Sequence, residues 1–375
     1  MPELMISADD HIDLGYLPKD LWLERLPSKY KDRAPHVEDT TGREMWVCEG
    51  AQWGDWRAGR WSTDPNRPRV SLDRVKFEGN YGIRPTTTAT RLEDMDRDGV
   101  HLSVMYPPIF GMRMADKDLA RAVISAYNDW ATDFEKTAPG RFRVVAQLFP
   151  DDAEGSREEM LRLVAKGTRQ VNFLVGTVES SMYQPEWDPF WDAAEANNVI
   201  VNYHVGGVSR TGSFAGRRAP EDEARKPAFG MGLGDGATVF YQPFVGLFAY
   251  GILEKRPNLR FVLAESGTGW IPFQVQEMDY RYHQILERGA ELPLKKLPSE
   301  VFRKQVWATY QQDFVGLNLI RFFGEGHMMW ASDYPHPDST WPNSRAILDK
   351  EMAELDPEMR RKITWENAAT FYGIK

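Results

Sequence analysis

Short, nearly continuous apolar runs alternate along this chain with longer stretches whose apolar positions recur at helical spacing. The runs are 4–8, 101–106, 142–149, 170–175, 199–204, 259–264, 306–310 and 327–331, several of them stopped by Pro or Gly. Between them, 91–98, 118–136, 153–165, 186–196, 241–254, 270–288 and 317–323 read as helices, and 357–372 closes the chain with an amphipathic one. In 118–136, Leu119, Ala122, Val123, Ala126 and Trp130 fall at helical spacing. Runs that are apolar at nearly every position suit parallel strands covered on both faces. Strand and helix alternate in this way through eight units. The pattern predicts an α/β protein, a distorted (β/α)8 barrel in preference to an open sheet. No Gly-x-Gly-x-x-Gly follows the first run, which weakens the dinucleotide-binding alternative.

Two stretches do not fit a bare barrel. Residues 20–90 separate the first strand from its helix, and 206–238 follow the fifth strand. Both leave strand C-termini, which in a barrel is the active-site face, and loops of this length are usually lids or binding elements. One domain, 1–375, with two insertions is therefore expected. The first insertion holds Trp46, Trp53, Trp56 and Trp61 with Arg57 and Arg60. Arg57 and Arg60 beside Trp56 offer a clamp for a carboxylate, with indoles to stack on an aromatic ring. The plainer alternative is that the tryptophans pack the insertion onto the barrel.

Composition narrows the class. The 375 residues carry a net charge of −9 and no concentrated Lys/Arg block, which argues against a nucleic-acid partner. Cys48 is the only cysteine, so neither an intramolecular disulfide framework nor a cysteine-based zinc site is available. The first residues show no signal-peptide pattern, and no apolar window approaches the ~20 residues of a membrane span. A cytoplasmic globular protein is the expectation.

Three strand ends carry side chains capable of chemistry. In Asp9-Asp10-His11, alternation places Asp9 and His11 on one face and Asp10 on the other. A carboxylate and an imidazole so spaced can share one divalent ion, although Asp-x-His alone is equally well a solvated strand end. His204 ends the run Ile200-Val201-Asn202-Tyr203-His204 and precedes Gly206-Gly207. A core histidine is its plain alternative. Asp333, in Ser332-Asp333-Tyr334-Pro335-His336, has the same placement, with a turn-forming role before Pro335 as its alternative. Two imidazoles and two carboxylates suit Zn2+, Mn2+ or Fe2+ better than Ca2+ or Mg2+.

With these pieces in order, the chain resembles the amidohydrolase superfamily, in the branch of aminocarboxymuconate-semialdehyde, γ-resorcylate and 5-carboxyvanillate decarboxylases. The resemblance spans essentially the whole chain and rests on Asp9-x-His11, His204 and Ser332-Asp333-Tyr334-Pro335-His336. Leu263-Ala264-Glu265-Ser266-Gly267-x-Gly269-Trp270-Ile271-Pro272 and Glu366-Asn367-Ala368 support it. It implies one divalent ion, Zn2+ first and Mn2+ or Fe2+ as options, held by Asp9, His11, His204 and Asp333. Asp9 stands where His or Glu is more usual. The fourth strand has no Lys, so the bridging carbamylated lysine of two-metal members is missing. No His lies between His204 and His283, where many relatives place a proton carrier, and Glu265 stands where several decarboxylases have a histidine. Glu265 is then an acid, a base or an extra ligand, or else the partner of an arginine such as Arg57 or Arg210. Asp333 would be ligand and proton shuttle, with His336 orienting it or contacting substrate.

The implied activity is non-oxidative decarboxylation of a small aromatic or unsaturated carboxylic acid. Hydrolysis of a lactone or amide is the runner-up. Non-haem oxygen chemistry and a structural metal-binding subunit paired with a homologous catalytic chain remain open. Self-association as a dimer or tetramer is expected from the resemblance alone.

Overall fold

The structure is a computed structural model that describes residues 4–40, 44–56, 87–108, 112, 114–206, 237–290, 292, 294–336 and 339–374. Its strands, in chain order, are β1 Met5–His11, β2 His36–Asp39, β3 Glu44–Cys48, β4 Ala51–Asp55, β5 Val100–Tyr106, β6 Phe142–Val144, β7 Ala146–Gln147, β8 Gln170–Leu174, β9 Ile200–His204, β10 Arg260–Ala264, β11 Val306–Tyr310 and β12 Met328–Trp330. All eight predicted runs are strands, the third divided at Val145. The first extends three residues further than predicted, to His11.

Two parallel sheets result, ordered β1-β5-β6 and β12-β11-β10-β9-β8-β7. The sheets approach each other at both ends. Asp333 N–H donates to Asp9 O (2.9 Å) and His11 N–H to Tyr334 O (2.7 Å). At the other side, Val145 joins β6 to β7, and its N–H donates to Met105 O (2.9 Å).

Alternation along the strands sorts side chains into two cores. Val201 and Tyr203 belong to the larger one, beneath the helices. Ile200, with Ile6, Ala8, Val104, Val262 and Met329, belongs to the second, which the C-terminal residues Ala368, Phe371 and Tyr372 cover. His204 and Asn202 therefore share the face of Ile200.

Helices connect the strands much as the periodicity predicts. The 317–323 stretch, however, is two short helices, Phe314–Asn318 and Ile320–Phe323, and the 357–372 stretch passes through a π-helical turn at Lys362–Glu366. Three further differences stand out. The 241–254 stretch is two helices, Tyr241–Ala249 and Ile252–Lys255, broken at Gly251, whose φ of 68° ends the first. Pro298–Gln305 and Ser344–Glu351 are additional helices. Each is only eight residues long, too short for the period to stand out.

The 20–90 stretch is not structureless where it is described. It holds a short helix, Leu21–Arg25, and an antiparallel sheet, β2-β3-β4. The β3–β4 turn is Glu49-Gly50, both at positive φ (49° and 75°), the conformation a two-residue hairpin requires. Its tryptophans pack. Trp22, Trp46, Trp53 and Trp56 are all core residues, and Trp22 Nε1–H donates to Val123 O (3.0 Å) on the helix Lys117–Glu135. Among the described residues no helix is long and apolar enough to cross a membrane.

Candidate metal centre

Asp9 and His11 project from the end of β1 on one side, as alternation predicts. Asp9 Oδ1 lies 3.6 Å from His11 Nε2 and 3.2 Å from His204 Nε2. His11 Nε2 is also 3.2 Å from Asp333 Oδ1. Asp9, His11, His204 and Asp333 thus converge from three strand ends, and all four are buried. The His11 and His204 rings meet edge to face at 4.6 Å between centroids. His204 Nδ1 is 2.6 Å from Val205 O, a carbonyl that can only accept, so Nδ1 donates there and the ring is held with Nε2 toward Asp9.

Asp10 points the other way and fastens the seam. Its Oδ1 accepts from Ser7 Oγ (2.7 Å), Ser332 Oγ (2.6 Å) and Tyr334 N (3.0 Å), and its Oδ2 from Ser103 Oγ. Burial pushes the Asp10 carboxyl up to about 6, against the pull of Arg91 and the three serine hydroxyls. Arg91 itself donates to His11 O and lies over the Tyr334 ring. The segments carrying Asp9, His11 and Asp333 are therefore cross-tied by a buried polar cluster.

Two residues at the centre take left-handed backbone conformations although neither is glycine: Glu265 (φ 54°) and Asp333 (φ 59°). Such conformations persist only where the surroundings enforce them, and they cluster at functional sites. Glu265 follows β10, and its Oε2 is 3.4 Å from His204 Nε2. The loop behind it is clamped by Asp313, which accepts from Thr268 N (2.6 Å), Gly269 N (2.8 Å) and Gly316 N (2.8 Å). Arg57 and Arg210, weighed as ion partners of Glu265, lie outside the described residues, as do Arg60, Trp61 and most of 206–238. Trp56 is described and buried. Its Nε1–H donates to Leu17 O (2.9 Å), and the Lys19 ammonium sits 3.9 Å from its ring centroid.

His336 stacks on His11 at 4.1 Å and bridges two carboxylates, with Nδ1 2.8 Å from Asp333 Oδ1 and Nε2 2.8 Å from Asp13 Oδ2. Burial lowers its basicity, but the Asp333 and Asp13 carboxylates outweigh that and hold it well above the usual histidine range. His11 goes the opposite way, pushed well below it by burial and then by His336 and His204.

Sequence reasoning passed over three residues. Asp13 was visible in principle, because it continues the Asp9, His11 alternation. Tyr106, whose ring is 4.8 Å from that of His204 and whose hydroxyl donates to Asn202 Oδ1 (2.8 Å), looked like an ordinary strand aromatic. Thr309, which donates to Asp9 Oδ2 (2.9 Å), had no signal at all.

The donor set fits a divalent ion. Among the described residues, neither ring nitrogen of His11 nor Oδ2 of Asp333 makes a hydrogen bond, although all three atoms are buried, while Asp333 Oδ1 faces His336 Nδ1 at 2.8 Å. Buried polar atoms are normally satisfied, and unsatisfied ones on facing ligand-type side chains are what a bound ion would explain. Candidate ligand atoms of Asp9, His11 and His204 lie within 4.8 Å of one another, as do those of His11, Glu265, Asp333 and His336.

Parallel strands that aim histidines and aspartates at one buried point match a known family, and the chain belongs to it: the amidohydrolases, whose sequence pattern matches residues 84–374. Among individual relatives, γ-resorcylate decarboxylase of Rhodococcus jostii is 23% identical over 308 residues, covering 76% of this chain and 87% of that protein. Of solved structures, an amidohydrolase from Mycobacterium avium subsp. paratuberculosis superposes with a TM-score of 0.75 at 18% identity, covering 100% of this chain and 99% of that one. A dihydroxybenzoic acid decarboxylase from Polaromonas, solved with manganese and 2-nitroresorcinol, gives 0.62 at 18% identity over 77% of this chain and 86% of that one.

Proposed function

We propose that this chain is a metal-dependent carboxy-lyase that removes CO2, without oxidation, from a small aromatic or unsaturated carboxylic acid. One observation carries the reading: Asp9, His11, His204 and Asp333 meet at buried strand ends, with the His11 nitrogens and Asp333 Oδ2 left unsatisfied. The decarboxylase relatives favour this chemistry over others open to the same ligands. We read the two parallel sheets as one closed, distorted (β/α)8 barrel, with insertions 20–90 and 206–238, because backbone hydrogen bonds join the sheets at both seams.

Asp9 Oδ1, His11 Nε2, His204 Nε2 and an Asp333 oxygen would hold one divalent ion, Zn2+ or Mn2+, with Fe2+ the remaining option. Such an ion supplies a Lewis-acid anchor for the substrate carboxylate and a neighbouring oxygen. Asp333 then works as the proton carrier, delivering a proton to the carbon that loses CO2. His336, against Asp333 Oδ1, holds that carboxylate in place. Glu265 lies close enough to His204 to face the substrate, where it serves as acid or base. Arg57 and Arg60 would clamp a carboxylate of the substrate.

The test is turnover of hydroxylated benzoates by the purified chain after restoring Mn2+ or Zn2+, with CO2 and O2 both monitored. CO2 release without O2 uptake is expected. O2 consumption would replace the reading with oxygenation, and a water-dependent product without CO2 would replace it with hydrolysis. Tight metal binding with no turnover until a second chain is added would make this a structural subunit.

A further inference from the structure

We propose that Thr309 is the positioning residue that aims Asp9 at the metal position and ties it to the turn carrying Glu265. The inference rests on the metal-site reading above and extends it to a residue on a strand that contributes no ligand.

Thr309 is fully buried on β11. Its neighbours Ala308 and Tyr310 belong to the outer core, so its side chain is on the opposite face, toward Asp9 and the second core. Its hydroxyl makes two bonds whose directions are fixed by chemistry. The Glu265 backbone N–H can only donate, so at 2.8 Å it occupies a lone pair of Thr309 Oγ1. The single hydroxyl proton is thereby committed to Asp9 Oδ2, 2.9 Å away. That oxygen is turned from the centre, and Oδ1 is the one left facing His204 Nε2 at 3.2 Å and His11 Nε2 at 3.6 Å. A free carboxylate could rotate and present either oxygen. This one is held in a single orientation.

The same hydroxyl also accounts for Glu265. The residue sits at φ 54°, and its N–H is bonded to Thr309 rather than left buried and unpaired. A β-branched side chain has few rotamers on a strand, so the direction of the hydroxyl is itself fixed. The Asp9 side chain would otherwise be free to swing, and the Thr309 bond removes that freedom.

The experiment titrates metal-stripped full-length protein with Mn2+, using a competing chelating indicator, and needs no substrate. Thr309→Val keeps the shape and removes the hydroxyl, and metal affinity should fall about 10–100-fold, the range for partners of ligating side chains. Thr309→Ser restores the hydroxyl and should restore most of the affinity. In an Asp9→Ala background, Thr309→Val should cause no further loss, because the side chain through which it acts is gone. A merely structural threonine would instead lower the metal-free melting temperature and weaken metal binding equally in both backgrounds, and that result overturns the proposal. So does Thr309→Val with wild-type affinity. Wild-type protein that binds no Mn2+ or Zn2+ overturns the metal-site reading itself, and Thr309 with it. Should valine prevent folding, Thr309→Ala carries the same comparison.

Discussion

Replacing Asp333 by Asn separates the chemistry of this site from its architecture. Asn is nearly isosteric and is among the few residues at ease in the left-handed region, so φ 59° at this position is retained. Ala would instead add strain of about 1–2 kcal/mol. The backbone bonds that hold the turn, Asp333 N–H to Asp9 O and His336 N–H to Asp333 O, involve no side-chain atom and survive. What disappears is a fully buried anion 3.2 Å from His11 Nε2 and 2.8 Å from His336 Nδ1. In the proposed reaction this removes both a charged ligand and the proton carrier. Loss of positioned proton transfer alone costs about 10²–10⁴ in rate, or roughly 3–5 kcal/mol of barrier. The assay pairs CO2 release by metal-restored enzyme with the melting temperature of the metal-free protein. Turnover should fall by at least about 100-fold while the metal-free melt moves by only a few degrees. Turnover within a few fold of wild type would refute the role given to Asp333.

Other expectations follow from single contacts. His204→Ala should reduce bound metal on elemental analysis, and unchanged content would remove His204 from the ligand set. Gly316→Ala places a Cβ 1.9 Å from Thr268 Oγ1 and 2.5 Å from Asp313 Oδ2, so the clamp behind Glu265 must open. A destabilisation of about 1–3 kcal/mol should appear in urea unfolding, and an unchanged midpoint would contradict the packing. Burial pushes the Asp98 carboxyl up to about 6, even though it accepts from Ser344 N (2.9 Å) and Ser344 Oγ. The folded state thus holds this proton more tightly than the unfolded chain, and the contribution of Asp98 to stability falls as pH rises from about 4 to 6. Asp98→Asn should remove that slope, so its stability relative to wild type improves by roughly 3 kcal/mol across the window. A difference between the two proteins that stays flat from pH 4 to 7 would reject it.

Much of the scaffold was legible because periodicity is a local property. Gln170–Leu174 and Ile200–His204 are apolar at nearly every position because both faces are covered, and they are strands of the central sheet. The first insertion left two readings open, because four tryptophans spread over a polar segment show neither period. Their packing depends on Val123 and Leu14, residues remote in sequence, through hydrogen bonds from Trp22 and Trp46. The Glu49-Gly50 turn gave a weaker hairpin signal than Asn-Gly would have.

The sequence by itself determined the order of the strands, the shared face of Asp9 and His11, and the candidate status of His204 and Asp333. All four follow from alternation and from turn residues placed just beyond an apolar run. Tertiary structure alone decided that these ends meet, that Asp10 bonds Ser103 on the next strand and Ser332 across the seam, and that His336 bridges Asp333 and Asp13. It also decided the bond from Thr309 to Asp9, between residues 300 positions apart. The reason is physical: periodicity tells which face a side chain takes, but only strand pairing and register tell what stands across from it.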